Sequence, residues 1–576
     1  MASIAHHRYD RRDRSCLLAA LLLLLLLSQV VFRHGAHFTL FELQEQDWPV
    51  LAGAGLLLIL LQGWRPAVRL PAPRLDRRTV TAIFLSTAML LWGLTHALMG
   101  DFAISRDEHM VLFDMAVFES GRIAMPLAPQ WRDFAKDLVP AFLLNEEAPR
   151  ALISAYLPMN ALLRTGFDQL GLGQLMNPLL YAAGGIALFD IARRLFGHDR
   201  RAILVALLVY FLSMQAWAAA MTPYAMTGHL ALNLVWLAAF LRGGRWHLIA
   251  IAAGAIATGL HQLAFHPLFV APFLAQRLWR GEWRLALGYA AAYAVICAGW
   301  IMWPLFVSGY TGTAVAEGAS HGNFLNDRLM PLLMQRDPAT VPLMIMNLLR
   351  FFAWQHLAVV PLLLAALPLA GRRDGIALPL LTGIGAALLL FTIVLPYQGH
   401  GWGYRYLHGF IGSVALLAAL GYRELRLREG RVADGLVVVT TAATLVAMVW
   451  LGTRVHAFVA PHVALERHIA TVDADLLLID TEEPEASSDG RWAANAIDFA
   501  RNRPDLANRP IRLSSRFMSS AKAASLCQRG TIAVLTRADQ QRVGFGLNQP
   551  VRSPGFEKMV ARLRAEAAAG RCRLVG

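Results

Sequence analysis

The sequence predicts an α-helical polytopic membrane protein of about 13 spans followed by a small polar α/β domain. Three observations carry that expectation. Of 576 residues, 56% are hydrophobic and only 16% are charged, against roughly a quarter charged in an ordinary soluble domain. Apolar runs of crossing length recur along roughly three quarters of the chain. Arginines collect in every second connection between those runs, as cytoplasmic loops require. The same pattern excludes a soluble enzyme, a disordered chain and a disulfide-built secreted domain.

The apolar segments occupy residues 16–32, 49–64, 79–99, 178–196, 202–220, 226–241, 248–260, 267–276, 285–307, 344–370, 376–395, 410–422 and 432–451. A crossing takes about 20 residues, so the pair flanking 261–266 and the segment starting at Phe410 are short for one. Arg8, Arg11, Arg12 and Arg14 precede the leucine run 21–27 in the manner of a signal peptide. No small-x-small cleavage site follows, and the segment reads as a retained first span. With the N-terminus inside, alternation puts six clusters on the cytoplasmic side: Arg65 to Arg78, Arg193 to Arg201, Arg242 and Arg245, Arg277 to Arg284, Arg372 and Arg373, and Arg423 to Arg431. One misplaced span would break that alternation downstream. The net charge of +14 is therefore a topological signal, and no nucleic-acid partner is implied. Only Lys136, Lys522 and Lys558 are lysines. The Arg-dominated charge and Leu-rich spans point to a bacterial inner membrane, with the outward side as periplasm.

The domains expected are an N-terminal membrane hairpin at 1–78, a transmembrane core at 79–453 and an outward α/β domain at 454–576. The core's first outward loop, 100–176, is too long to be a mere connector. Two further outward loops cover 308–341 and 397–408. In the C-terminal domain, β-like runs at 476–479, 511–513 and 531–536 alternate with helix-like stretches at 491–501 and 555–569. Cys16 and Cys297 lie in apolar segments, whereas Cys527 and Cys572 can pair if this domain faces an oxidising compartment.

Charged residues at the outward ends of the spans are the candidate chemistry. Asp107 and Glu108 follow the third segment directly, beside the amphipathic stretch 110–120. A carboxylate on an apolar shelf at the membrane surface is where a general base toward a lipid-linked substrate belongs; a solvated acidic loop is the bland alternative. Arg405 is the sole Lys or Arg between Arg373 and Arg423, set among Gly399, Gly401, Gly403, Trp402, Tyr404 and Tyr406 with His400 and His408 nearby. An interfacial aromatic belt with one snorkelling Arg gives the same composition, but the glycines permit a close backbone approach that a belt does not need. His261 and His266, five apart around an outward turn, lack the i,i+4 spacing of a helical metal pair and suit capping or packing as well as binding. Arg350 and His356 would be costly facing lipid and so belong in a cavity or at its rim. Asp133 and Asp137, one turn apart, read as a solvated helix face or a second acidic site.

The order of a span, Asp107-Glu108, Ser120-Gly121-Arg122, a polar segment and Tyr156-Leu157-Pro158 before an amphipathic helix resembles the first lumenal loop of the GT-C glycosyltransferases. That group includes the protein O-mannosyltransferases and the lipid A aminoarabinose transferases. Gly228-His229-Leu230, the turn 261–266, and Gly403-Tyr404-Arg405-Tyr406 are similar to later landmarks of such enzymes, and the likeness spans about 79–576. The first two spans are an addition to it. The resemblance implies a GT-C-like fold and transfer of a sugar from a polyprenyl-phosphate donor, on the outer face and with inversion, to an extracytoplasmic acceptor that is a glycan, lipid or protein. It implies Asp107 as the base, with Glu108 as an orienting or metal-binding neighbour. Arg405, with Tyr404, His400, His408, His261, His266 and Arg350, is then expected to meet the donor. A divalent metal stays open, and neither sugar nor acceptor is encoded. The rival reading is a transporter or flippase of a lipid-linked saccharide, which usually carries ionisable groups at the midplane; this chain has few there. A membrane scaffold displaying the C-terminal domain is the third.

Overall fold

The computed structural model describes residues 38–64, 66, 68–139, 142–144, 148–314, 340–372, 375–483 and 492–575. The first apolar segment, 16–32, and most of the loop 308–341 fall outside the described residues. Helix α1 (Phe38–Glu42), a π turn (Leu43–Asp47) and α2 (Trp48–Gly63) follow one another without a break. Helix α3 (Arg77–Met99) starts where the Asp76 carboxylate accepts from the Thr79 amide at 2.7 Å. It ends at Gly100, whose φ of 55° favours glycine. The loop after α3 carries α4 (Arg106–Glu119) and α5 (Met159–Asp168). Between them β1 (Met125–Pro126) and β2 (Ala151–Leu152) pair antiparallel.

The helical core continues through α6 (Met176–Phe196), α7 (Arg200–Phe211), α8 (Met214–Ala220), α9 (Met226–Arg242), α10 (Trp246–Thr258), α11 (Phe265–Trp279) and α12 (Trp283–Thr311). After the undescribed stretch come α13 (Thr340–Ala353), α14 (Val359–Ala366), α15 (Ala377–Val394), α16 (Ile411–Glu429) and α17 (Arg431–Ala470). Among the described residues, five helices are long and apolar enough to cross a membrane: Arg77–Met99, Gly173–Phe196, Trp283–Thr311, Ala377–Val394 and Arg431–Ala470. The pair α7 and α8, bent by 51° at its break, makes a sixth if counted as one span. The segment 344–370 looks continuous in sequence but breaks between α13 and α14. Polar groups there have partners outside the helix: the Trp354 carbonyl accepts from the Gln215 amide at 3.3 Å, and His356 Nε2 meets Thr441 Oγ1 at 2.9 Å.

Burial sorts the helices into inner and outer. From Ile411 to Ala419, α16 is buried on every side, as expected of an all-apolar helix in the middle of a bundle. Helices α3 and α12 instead present Met89, Leu90, Val295 and Phe306 outward, an apolar surface that suits lipid.

Helix α17 has 40 residues, about 60 Å at 1.5 Å per residue and so about twice the hydrocarbon thickness. The domain boundary expected at 453/454 therefore falls inside a continuous helix that runs on into the C-terminal domain. That domain is built on a parallel sheet in the order β4-β3-β5-β6, from β3 (Leu476–Ile479), β4 (Ile511–Ser514), β5 (Thr531–Leu535) and β6 (Arg573–Val575). Its helices are α18 (Ser520–Ser525), α19 (Arg537–Arg542) and α20 (Pro554–Ala568). All four β3 residues are buried, which explains its unbroken Leu-Leu-Leu-Ile run. The helix expected at 491–501 is a single 3-10 turn, Ala496–Phe499. The carbonyls of Ile497 and Ala500 accept from Arg106 instead of continuing a helix. Cys527 and Cys572 form a disulfide between the end of the α18 region and β6. Asp137 is no part of a solvated face: its carboxylate is buried and takes Lys522 of the C-terminal domain at 2.5 Å.

Candidate active site

The first turn of α4 is set by a capping box. The Ser105 amide and hydroxyl donate to Glu108 Oε2 at 2.7 and 3.0 Å, while the Glu108 amide returns to Ser105 Oγ at 3.3 Å. Tyr224 O–H donates to the same Ser105 Oγ at 2.6 Å, anchoring the turn to the start of α9. Glu108 is thereby turned into the cap, and Asp107 is the carboxylate that faces the core.

Asp107 is met by two residues distant in sequence. The Tyr156 hydroxyl donates to its Oδ1, and the Arg405 guanidinium binds its Oδ2. Arg405 is stacked between rings, its Cζ 5.9 Å from the Tyr224 centroid and 5.3 Å from that of Tyr406. The loop presenting it turns back twice, at Gly399 (φ 65°) and Gly403 (φ 67°), where a side chain would be strained. Gln398 spans the bend, accepting from the Arg405 amide at 2.9 Å and donating to the Gly403 carbonyl at 3.0 Å. From the core side, Gln215 Nε2 donates to the Tyr404 carbonyl at 2.8 Å.

Asp107 opens onto a small cleft, partly exposed, that it lines with Asp114, Tyr156, Asn160, Tyr224 and His261 and with Val111, Leu157 and Leu260. The His261 ring lies 4.3 Å from that of Tyr156. Burial works against ionised Asp107, but the Arg405 cation, His261 and the Tyr156 hydroxyl outweigh it and hold the carboxyl below its ordinary range. Burial pushes Asp114, two turns further along the same helix, up to about 7, and depresses His261 to about 4. One helix face thus offers an ionised carboxylate and a second one poised near neutrality, an arrangement that separates acid and base roles.

Of the residues picked out in sequence, Asp107 and His261 line this cleft, and Arg405 joins them through its contact with Asp107. The others sit elsewhere. Tyr404 is buried, its hydroxyl 3.9 Å from Met344 Sδ. His400 stacks on Phe458 at 4.9 Å and pairs with Glu42. His408 is buried outside the cleft lining. His266 is held inside the bundle by Asn233 and Tyr293, both at 2.7 Å. Arg350 does not reach the cleft, because its guanidinium is divided among Glu42, Asp47 and the Gly401 carbonyl. Tyr224, Asp114 and Asn160 were not singled out by sequence. Asp114 had a visible signal, its seven-residue offset from Asp107 on one helical face. Among the described residues no three His, Cys, Asp or Glu side chains gather as a metal site would require.

No family model matches the chain, and no curated protein does. In structure the chain is similar to ArnT from Cupriavidus metallidurans in the apo state, at 15% identity and a TM-score of 0.45, over 73% of this chain and 87% of that one. It is similar also to ArnT from Cupriavidus metallidurans bound to undecaprenyl phosphate, at 15% identity and a TM-score of 0.45, over 70% of this chain and 82% of that one.

Proposed function

We propose that this chain is an integral-membrane glycosyltransferase of the GT-C type that moves a sugar from a polyprenyl-phosphate donor to an acceptor on the extracytoplasmic face, with inversion. The observation that carries the reading is the contact of Asp107 with Arg405. A carboxylate and a guanidinium 298 positions apart meet at a cleft beside apolar helices, which supplies a proton acceptor and an anion-binding group in one place.

In this reading the acceptor oxygen attacks the anomeric carbon from the face opposite the phosphate. The bond from that carbon to the phosphate oxygen breaks, and its electron pair leaves with the polyprenyl phosphate. The acceptor proton passes to Asp107. Arg405 offsets the charge that grows on the departing phosphate, which already carries negative charge and needs no strong acid. At rest the two groups neutralise each other, so donor phosphate competes with Asp107 for the guanidinium. Once Arg405 turns to the phosphate, the cation that most favours ionised Asp107 is shared, and burial makes the carboxylate a stronger base. Tyr156 keeps that carboxylate aimed, and Glu108 acts at one remove by fixing the helix turn. The disulfide supports placing the C-terminal domain in an oxidising compartment, in keeping with a periplasmic site on a bacterial inner membrane.

The test is transfer from a panel of radiolabelled polyprenyl-phosphate sugars into membrane acceptors, with the purified chain in liposomes. Transfer by the wild type that vanishes in folded Asp107→Asn establishes the reaction and its base, and the productive lipid names the sugar. An active Asp107→Asn removes the base. Labelled lipid crossing the bilayer without transfer puts a transporter in its place.

A further inference from the structure

We propose that Glu42, on the helical segment ahead of the second apolar run, is a positioning residue for Arg405, acting by holding the His400–Gly401 turn against which the Arg405 stem packs. The inference rests on the reading of Arg405 as the donor-phosphate ligand.

Glu42 lies fully buried in α1, more than 350 positions from the loop it touches. Its carboxyl meets His400 Nδ1 at 3.1 Å, receives the Gly401 amide and pairs with the Arg350 guanidinium. Arg350 in turn donates to the Gly401 carbonyl at 2.7 Å and to Asp47 at 2.9 Å. Both polar groups of the Gly401 backbone are therefore gripped, the amide by Glu42 and the carbonyl by Arg350. The opposite side of Gly401 lies on Arg405: a methyl group there would stand 3.1 Å from Cδ and 3.3 Å from Cβ and Cγ of that side chain. Moving Gly401 moves the surface on which the guanidinium stem rests. A purely structural cluster has no need of the loop. Asp47 already ties the helix to the core through Arg350 and through Trp354 Nε1, at 2.5 Å, without touching Gly401. Glu42 is the carboxylate that extends the tie to the loop.

Two conservative variants of the full chain separate reach from charge. Glu42→Asp keeps the charge and shortens the side chain by one methylene; Glu42→Gln keeps the length and offers a carbonyl to Arg350 with an N–H to His400. The readouts are affinity for undecaprenyl phosphate in nanodiscs and hydrogen exchange of the amides at 397–405. Loss of the grip in Glu42→Asp should weaken affinity about tenfold, the order of one charge-assisted hydrogen bond, and speed exchange across the loop. Glu42→Gln should stay within about threefold of wild type. The deficit of Glu42→Asp should disappear in an Arg405→Ala background, because the two residues act through one contact. Wild-type affinity and exchange in Glu42→Asp, or a deficit that persists without Arg405, overturns the proposal. Should Arg405→Ala bind the lipid as well as wild type, the phosphate reading fails instead, and loop exchange alone then decides whether Glu42 holds the turn.

Discussion

Asp107→Asn should abolish transfer and at the same time tighten binding of undecaprenyl phosphate. In the resting structure the Arg405 guanidinium is taken by Asp107 Oδ2, so phosphate gains that cation only by displacing a carboxylate. A hydrogen bond between charged groups contributes ~1.5–3 kcal/mol, which is about tenfold to a hundredfold in Kd. The single asparagine oxygen still accepts weakly from Arg405 while its NH2 turns to the Tyr156 hydroxyl oxygen, which places the gain near the lower end, about tenfold. The substitution also leaves a buried guanidinium without its counter-ion, so the free protein should melt lower, and added lipid should restore more of the melting temperature than it adds to wild type. Equilibrium binding in nanodiscs with a parallel thermal scan reads both effects, with Arg405→Ala as the weak-binding reference. Unchanged or weaker binding in a folded Asp107→Asn would refute the idea that donor phosphate and Asp107 share one guanidinium.

Arg405→Ala should bring an acid limb into the pH profile of whatever transfer remains. Its cation opposes the effect of burial on Asp107, so without it the carboxyl rises above its ordinary value of 3.8, and kcat/KM should fall as pH drops through the raised value; a flat profile down to pH about 5 counts against the coupling. The sign for stability follows from the same depressed pKa: the contribution of ionised Asp107 is present above its unfolded value and lost as pH falls through the lower folded one, which acid-side thermal scans of wild type and Asp107→Asn compare. Tyr156→Phe removes one donor from Asp107 and should reduce kcat about tenfold with little change in lipid affinity, measured by steady-state transfer. Reduction of the disulfide, whose cysteines are 45 positions apart, should destabilise the C-terminal domain by about 3–5 kcal/mol, read as increased exchange in β5 and β6 with exchange in α6 and α9 unchanged.

Asp107 and Arg405 were legible in sequence because each is a charge at the edge of an apolar region, where an uncompensated charge is costly and needs a reason. That rule does not say which partner compensates it. Arg350 meets the rule equally well, and sequence grouped it with Arg405, yet its counter-ions are Glu42 and Asp47 from the segment that looked like an addition to the core. A pairing across about 300 positions leaves no local trace when every partner is a single residue. Tyr156 was visible only as part of a landmark, because a tyrosine in a loop needs no explanation until a carboxylate is found against it. Helix limits show the same division. Runs such as the one in α3 are marked by a cap and a glycine stop, whereas the break between α13 and α14 lies in unbroken apolar sequence and depends on Gln215 reaching the Trp354 carbonyl from another helix. The strands β3, β4 and β5 were readable from short β-branched or leucine runs, but β6 has three residues and lies at the sheet edge, where pairing with β5 rather than composition defines it.

Arg106 and Asp107 are neighbours whose side chains leave α4 about 100° apart, and that offset ties two parts of the molecule to one helical turn. Asp107 points to Arg405. Arg106, itself buried, donates to the carbonyls of Ile497 and Ala500 and lies 3.5 Å from Asp498 in the C-terminal domain. Elsewhere in the same loop, the buried Asp137 holds the half-buried Lys522 of that domain in a second pair. The C-terminal domain cannot shift against the loop without breaking both pairs or carrying the first turn of α4 along, and moving that turn moves Asp107 relative to Arg405. Breaking either pair takes the counter-ion from a buried side chain, Arg106 in one and Asp137 in the other, which is costly, so the concerted motion is the easier one. The C-terminal domain therefore belongs to the frame that sets the distance between Asp107 and Arg405, and a substitution at Asp498 or Lys522, neither of which lines the cleft, acts on the same pair of groups as one inside it.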